Sequence, residues 1–263
     1  MTKDETGADL YSGKAWYGGE LLDGAEAMRR AGIERPVLEA KEGLALTNGI
    51  DFMAAAAALA VHDAETLLAT AQVGAALSLE GMQGLSAAFE ADLHAAAGQP
   101  GQQQVAARIR GLTAGSRHVD AQPDRVQDAY SLRCTPQVLG PALDAVAFVR
   151  GRVTTALNAA TDNPLIFPTG DGSFRALSGG NFHGQGPALW LDLLGMSMAE
   201  VADIAERRIF RMLTPELSGG LPAMLTPTSG LDSGLMMVQY AEAALVLDNK
   251  TLAHPDSVDS IPS

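Results

Sequence analysis

Residues 51–97 constrain the fold more than any other part of the chain, because apolar residues dominate them at helical spacing without a proline. Residues 135–160, 187–213 and 232–252 show the same pattern, and few β-type runs accompany them. Helices this apolar need neighbours to cover them. The sequence therefore predicts an all-α protein built as a bundle of long helices.

Glycines interrupt the first of these helices at Gly74, Gly81 and Gly84. A glycine costs a helix interior about 1 kcal/mol relative to alanine, so its presence needs a structural reason. We expect close helix–helix packing at these three positions.

The composition indicates one large globular domain. The 263 residues are 47% hydrophobic, which argues against disorder. We expect residues 1–15 to form a flexible lead-in and residues 16–263 to form a single helical domain. A net charge of −13 with 18 Lys and Arg residues disfavours nucleic acid and anionic membrane surfaces as partners.

Several features favour the cytoplasm. The first residues are polar and acidic, which is the wrong chemistry for a secretory signal. No window reaches the ~18 uncharged apolar residues that a membrane span needs. Cys134 is the single cysteine and cannot form an internal disulfide, so we interpret it as a small buried residue in a reducing compartment.

The common cofactor and metal motifs are absent from the sequence. It contains no Walker loop, no nucleophile elbow and no dinucleotide-binding glycine motif. The five histidines, at positions 62, 94, 118, 183 and 254, lack the spacing of metal ligands. We expect no metal site.

An amide, a phenol and a guanidinium follow one another at intervals of three in Gln127, Tyr130 and Arg133. At helical spacing these side chains sweep an arc of roughly 120°, wide enough to wrap a small ligand. The planar fork of Arg133 matches a carboxylate, and its neighbours can donate and accept hydrogen bonds. The alternative is a polar helix end whose arginine satisfies the last carbonyls.

Four further strings accompany this one in the order typical of one family. They are Lys-Glu-Gly-Leu-Ala-Leu-Thr-Asn-Gly ending at Gly49, Thr-Asp-Asn-Pro-Leu starting at Thr161, Ser-Gly-Gly-Asn-Phe-His-Gly starting at Ser178, and Ser-Val-Asp-Ser-Ile-Pro starting at Ser257. Together they resemble the aromatic amino acid lyases, and their amino-acid sequences are most similar to the histidine ammonia-lyase branch. The resemblance extends from about Trp16 to Ser263.

The resemblance implies an all-helical subunit that eliminates ammonia from an α-amino acid with an electrophilic methylidene-imidazolone cofactor. It implies that Arg133 and Asn163 hold the substrate carboxylate. Asn48 and Gln127 are then polar contacts near the cofactor and the substrate amine. Tyr130 corresponds to a catalytic tyrosine beside the cofactor, and Phe182 to an aromatic wall of the pocket. Singly, each of these residues also fits a structural role in a turn, a helix end or the core.

The family forms its cofactor from an Ala-Ser-Gly tripeptide and takes its base from a tyrosine in an earlier segment. This sequence contains no Ala-Ser-Gly. We therefore expect a middle part of a lyase that binds no cofactor by itself and is inactive alone. We expect it to work with a complementary lyase segment or as a tetramer-like homo-oligomer.

Two other interpretations remain open. A phenylalanine or tyrosine ammonia-lyase, or an aminomutase, uses the same scaffold. A different class is an inactive fragment that acts as a scaffold or assembly protein. An adjacent reading frame encoding Ala-Ser-Gly and the base tyrosine would favour a split enzyme.

Overall fold

The computed structural model describes residues 13–34, 36–122 and 124–259. Within it the chain divides into two compact units, at the boundary between Thr47 and Asn48. The expectation of a single domain after residue 15 stays a prediction.

The first unit contains a β-hairpin and two helices: β1 (Lys14–Tyr17), β2 (Glu20–Asp23), α1 (Gly24–Ala31) and α2 (Glu42–Ala45). Most of the expected lead-in lies outside the described residues, but Lys14 and Ala15 already belong to β1. Leu21 pairs with Trp16 across the hairpin, so a strand directly precedes α1. Helix α1 ends at Gly32, which adopts the left-handed conformation with φ 68°.

The second unit is helical, which confirms the predicted all-α bundle. Its helices are α3 (Asp51–Gly81), α4 (Ala91–Ala97), α5 (Pro100–Leu112), α6 (Tyr130–Arg133), α7 (Thr135–Ala156), α8 (Gln185–Leu213), α9 (Pro215–Ser218) and α10 (Met236–Leu252). Single 3₁₀ turns lie at Ser86–Phe89, Ala223–Leu225 and Asp256–Val258. An antiparallel hairpin, β3 (Leu165–Pro168) with β4 (Phe174–Leu177), lies in the connection between α7 and α8.

The long helices of this unit alternate in direction. The start of α8 lies on the start of α3, where Gly184 contacts Met53. The end of α7 reaches the same place, because Ala156 packs with Ile50 and Ala54. Thus α3 and α8 run the same way and α7 runs against them. Helix α10 packs along α8.

The core lies among α3, α5, α7 and α8. On α3 the buried residues recur every three or four positions, as in Val61, Ala64 and Leu68, so one stripe of the helix faces the core. Each of the following core side chains is at most 1% exposed: Leu68, Leu79, Val105, Ile109, Leu139 and Val149. The opposite face of α3 exposes large apolar side chains, among them Phe52 and Leu59.

By length and composition alone, α3 is long and apolar enough to cross a bilayer. One such helix is weak evidence, because the core helix of a globular bundle passes the same test. The buried stripe of α3 is packed in the core of the second unit.

The helix predicted over residues 51–97 is interrupted. It ends at Gly81, and Gln83 then takes a left-handed φ of 50° before α4 begins at Ala91. Among the described residues, the expected helix–helix packing is found at none of its three glycines. No described atom of a neighbouring segment lies within 4 Å of where a Cβ would stand on Gly74 or Gly81, and Gly84 lies beyond the end of α3, against Leu79 of that same helix and Asp128 of a loop.

The close helix–helix approach occurs instead between α5 and α7. A Cβ on Gly140 would stand 2.5 Å from the backbone nitrogen of Gln102, and one on Gly101 would collide with the carbonyl oxygen of Gly140. The two backbones are therefore in contact at this crossing. Asp144 adds a hydrogen bond of 3.2 Å from the Gly101 amide to its carboxylate.

Candidate active site

Three of the sequence strings described above converge where α3 and α8 begin, a region we call the amide end (Asn48, Asp162, Asn163, Ser178 and Gly179). The Nδ2 of Asn48 donates to the Oδ1 of Asp162 at 2.8 Å, and the Asn163 amide donates to the same oxygen at 2.6 Å. The Oδ1 of Asn163 accepts from the Gly179 amide at 2.7 Å and from the Ser178 hydroxyl at 3.1 Å. Two predicted site residues, Asn48 and Asn163, are thereby joined through Asp162.

The backbone beneath the amide end is fixed by Thr161, which is 6% exposed. Its hydroxyl donates to Asp51 at 3.2 Å and accepts from the Ile50 amide at 3.4 Å. Gly49 has φ 119°, and a Cβ there would stand 2.5 Å from the Thr161 hydroxyl oxygen. The Asn-Gly pair thus brings two chain segments close enough for Asn48 to reach Asp162.

Phe182 and His183 follow on the same loop. Phe182 is 40% exposed, so it is not the ordinary core residue of the alternative interpretation. The Nδ1 of His183 accepts a hydrogen bond of 3.1 Å from the Gln185 amide in the first turn of α8. His183 therefore satisfies a helix start and leaves Phe182 as the aromatic side chain of this loop.

Gln127, Tyr130 and Arg133 lie elsewhere, at a cleft of about 530 Å³ that we call the clamp end. The cleft is lined by these three residues and by Asp128, Ala129, Ser131, Arg207, Phe210, Arg211 and Leu217. Tyr130 is 71% exposed, and the Arg133 guanidinium lies over its ring at 4.7 Å. The predicted helical arc is correct only for Tyr130 and Arg133, because Gln127 precedes α6 in a loop.

A buried polar atom at the clamp end lacks a partner. Among the described residues, the Nε of Arg133 is buried and makes no hydrogen bond. Buried donors in proteins are almost always satisfied, so this one points to a group that comes from outside the described residues. An oxygen of a carboxylate suits it.

A network of hydrogen bonds supports the loop that precedes α6 and carries Gln127, which we call the clamp loop. Arg125 donates to the Met82 carbonyl at 3.0 Å and to Asp128 at 3.1 Å. The other oxygen of Asp128 accepts from the Leu85 amide at 2.6 Å. These contacts tie the clamp loop to the turn that follows α3.

Sequence reasoning missed the other wall of the cleft, which α8 provides. Arg207 lies over the ring of Phe210 at 4.7 Å and pairs with Glu206. Arg208 is 3% exposed, and burial lowers its pKa to about 10. Its guanidinium faces the Ser131 carbonyl and the Thr135 hydroxyl at 3.5 and 3.4 Å. The available signal in the sequence was three arginines, Arg207, Arg208 and Arg211, in the last turns of one apolar helix.

Two carboxyl groups meet where α8 packs on α10. The Arg207 side chain and then Gln239 hold the pKa of Glu206 below its ordinary value. Burial, and then the charge of Glu206, raise the pKa of Glu242. One oxygen of Glu242 is the second buried side-chain atom without a partner among the described residues.

The only group of potential metal ligands found in the described part of the chain is His254, Asp256 and Asp259, whose donor atoms lie within 4.8 Å of one another. All three are exposed, and exposed acidic groups of this kind are common without an ion.

The amide end and the clamp end lie at opposite ends of the bundle. The first adjoins the start of α3, and the second adjoins the turn after Gly81 through Asp128. The 31 residues of α3 rise 1.5 Å each and separate its ends by roughly 45 Å. Arg133 and Asn163 of one copy therefore cannot contact the same carboxylate.

Comparison with known proteins identifies the family. A profile of the aromatic amino acid lyases matches residues 10–263. The chain belongs to the aromatic amino acid lyase family. It is 51% identical over 252 residues to a histidine ammonia-lyase of Alkaliphilus metalliredigens, covering 95% of this chain and 49% of that protein. A histidine ammonia-lyase of Geobacillus kaustophilus gives the same identity and coverage.

Two solved structures have a fold similar to that of this chain. Histidine ammonia-lyase from Trypanosoma cruzi matches with a TM-score of 0.83 and 43% identity over 93% of this chain and 45% of that one. Tyrosine aminomutase from Streptomyces globisporus matches with a TM-score of 0.88 and 34% identity over 96% of this chain and 51% of that one. The chain spans about half the length of the curated relatives it matches.

Proposed function

We propose that this chain is part of a histidine ammonia-lyase that converts L-histidine to urocanate and ammonia. The observation that carries the proposal is the 51% identity to proteins of that name along 95% of the chain. The single cysteine fits a cytoplasmic enzyme.

Each site residue is assigned to the substrate group that its chemistry suits. Arg133 and Asn163 bind the substrate carboxylate, because a guanidinium fork and an amide NH₂ both donate. Asn48 contacts the ammonium group, and Phe182 lies against the ring. In the reaction the Cα–N bond breaks and a proton leaves Cβ. The electron pair of that C–H bond forms the new double bond, and ammonia departs.

The family cofactor, methylidene-imidazolone, cannot be formed from an Ala-Ser-Gly tripeptide of this chain, because the sequence contains none. Its carbonyl and nitrogen acceptors nevertheless fit the exposed donors of the clamp end. Gln127 and the Tyr130 hydroxyl would hold it there. When bound, the group supplies an electrophile that activates the substrate for loss of ammonia.

We further propose that a working site combines the clamp end of one copy with the amide end of another. The separation of roughly 45 Å along α3 supports this, because one copy cannot apply Arg133 and Asn163 to the same ligand. The unpartnered Nε of Arg133 and the exposed apolar face of α3 also fit a homo-oligomer.

The activity is tested by following urocanate by ultraviolet absorbance, with the chain alone and with the chain completed by a cofactor-bearing segment, in trans or by fusion. We expect product only from the completed protein. Phenylalanine and tyrosine serve as competing substrates, and a search for β-amino acid products tests the aminomutase. Steady urocanate formation by the purified chain alone would contradict the expected inactivity. Failure of the completed protein to act on histidine would contradict the function.

The shared site has its own test. In the completed protein, Arg133→Ala and Asn163→Ala are each expected to be inactive, and co-assembly of the two variants is expected to restore part of the activity. Sites that draw one end from each variant contain either both lesions or neither. Co-assembly of Arg133→Ala with Arg133→Lys is the matched control. Absence of recovery in mixed oligomers of verified composition would contradict the shared site.

A further inference from the structure

Asp162 lies at the centre of the amide end, where it contacts Asn48 and Asn163. One oxygen of its carboxylate accepts two hydrogen bonds, from Asn48 Nδ2 at 2.8 Å and from the Asn163 backbone amide at 2.6 Å. All three side chains are half-buried. Asp162 thus contacts two of the residues that the proposed function places on the substrate, Asn48 and Asn163.

The contact with Asp162 decides which end of the Asn48 side chain faces away from it. An ionised carboxylate only accepts hydrogen bonds, so the NH₂ group of Asn48 must be the end that meets Asp162. The carbonyl oxygen of Asn48 is then turned away from Asp162. This orientation follows from the chemistry of the partner and does not depend on distinguishing oxygen from nitrogen by position.

Asn163 is oriented in the opposite sense by an equally clear partner. The Gly179 backbone amide only donates, so the group 2.7 Å from it must be the carbonyl oxygen of Asn163. The NH₂ group of Asn163 therefore faces away from that loop. The two asparagines present an acceptor and a donor, respectively.

An α-amino acid has the complementary pair of groups. Its ammonium donates hydrogen bonds and its carboxylate accepts them, so it matches an acceptor on Asn48 and a donor on Asn163. If the Asn48 amide were reversed, both asparagines would present donors, and the ammonium would lose its acceptor. The orientation of one amide therefore determines which charged group of a ligand this end recognises.

We propose that Asp162 is a positioning residue that turns the carbonyl oxygen of Asn48 toward the ammonium group of the amino-acid substrate. The proposal rests on the proposed function for its ligand, but the orientation of the amide does not. Asp162 acts through Asn48 and does not itself touch the substrate.

The backbone on both sides makes this contact rigid. Thr161 joins Asp51 and Ile50 through its hydroxyl, and Gly49 allows the two segments to touch. Asn181 donates to the Ala160 carbonyl at 3.2 Å from the other side. The Asp162 carboxylate is therefore held in place independently of any ligand.

The decisive variant is Asp162→Asn, which keeps the shape of the side chain and lets position 162 donate as well as accept. Selective ¹⁵N-asparagine labelling reports the side-chain NH₂ resonances of Asn48 in the full chain. We expect the wild-type pair to be strongly inequivalent, because one proton bonds a carboxylate, and to move toward the values of a solvated amide in the variant. Asp171→Asn is the control, since Asp171 accepts from Thr169 and Ser173 at the tip of the β3–β4 hairpin.

Two ligands separate the ammonium from the carboxylate in the completed protein. Histamine keeps only the ammonium, and imidazolepropionate keeps only the carboxylate. Asp162→Asn is expected to weaken histamine binding about tenfold, as for one hydrogen bond to a charged group, and to leave imidazolepropionate binding unchanged. In an Asn48→Ala background the same substitution should add nothing, because the effect passes through Asn48.

Each outcome decides the proposal. Unchanged Asn48 resonances in Asp162→Asn overturn it, and so does an equal loss of both ligands, which indicates a merely structural role. If neither ligand binds the wild-type protein, the proposed function fails while the resonances still report whether Asp162 orients Asn48. If the variant does not fold, Asp162→Glu, which retains a carboxylate, is expected to retain the wild-type NH₂ resonances, and their loss in a folded Asp162→Glu protein overturns the proposal.

Discussion

The two ends of the helical bundle hold their polar side chains in opposite ways. At the amide end, Asn48, Asp162 and Asn163 are joined to one another or to neighbouring backbone by hydrogen bonds of 2.6 to 2.8 Å. At the clamp end, Tyr130 is 71% exposed and the Nε of Arg133 is buried without a partner among the described residues. The amide end is therefore organised before any ligand binds, whereas at the clamp end the Nε of Arg133 still lacks a hydrogen-bond partner among the described residues.

This difference indicates where binding free energy is gained. Groups already bonded to each other lose little freedom when a ligand binds and give mainly orientation. An arginine whose buried Nε has no partner among the described residues gains a charge-assisted contact when an anion binds it. We therefore expect substitutions at the clamp end to change affinity most and substitutions at the amide end to change selectivity and stability.

The largest expected effect is that of Arg133→Ala. In the completed enzyme it should cost about 2–5 kcal/mol, or roughly 30-fold to several thousand-fold in kcat/KM for histidine, because a buried charge loses its partner. Arg133→Lys should recover part of the loss, since an ammonium cannot reproduce the planar fork. Arg108→Lys, at an exposed position on α5, should change almost nothing. An unchanged kcat/KM in Arg133→Ala would leave Arg133 as a helix-end cation.

A smaller effect is expected beneath the clamp. Asp128→Ala should lower the free energy of unfolding by about 3 kcal/mol, because Arg125 and the Leu85 amide both lose a buried acceptor. Urea denaturation measures this. Asp124→Ala, at an exposed position on the same loop, should stay within about 0.5 kcal/mol of wild type. Equal stabilities of the Asp128→Ala and Asp124→Ala variants would show that the hydrogen bonds of Asp128 do not stabilise this loop.

The smallest effects should have opposite signs at two glycines. Gly49→Ala should destabilise the protein by about 1–3 kcal/mol, because φ 119° is unfavourable for alanine and the methyl group meets Thr161. Gly74→Ala should stabilise it by about 0.5–1 kcal/mol, since Gly74 lies in α3 and no neighbouring segment of the described residues comes within 4 Å of an added Cβ. Thermal unfolding of both variants tests the pair. A stabilising Gly49→Ala would show that the amide end does not depend on this close approach.

Periodicity predicted the bundle, and local chemistry decided where the prediction failed. The stripe containing Val61 and Leu68 is visible in the sequence because helical spacing and burial coincide there. The break after Gly81 was not, because residues 82–90 keep a composition that also suits a helix. The β2 strand was missed because its pairing with β1 depends on a turn through Gly18 and Gly19.

The sequence did not predict the geometry of the candidate site, and the roles of its residues stay predictions. The strings containing Asn48, Asn163 and Phe182 do meet at one end of the bundle, whereas nothing local to Arg133 shows that it lies at the other. That separation depends on the directions of α3, α7 and α8, which no spacing within a motif contains. Asp162 was overlooked because its role depends on a partner 114 positions away.

The crossing of α5 and α7 at Gly101 and Gly140 limits how the gene can change. Every single-base change that replaces a glycine encodes either a stop or a residue with a Cβ atom, and neither position has room for one. No conservative missense route therefore exists at these two codons. Other positions of α5 and α7 can therefore vary in sequence, whereas these two must stay glycine unless the spacing between the helices changes as well.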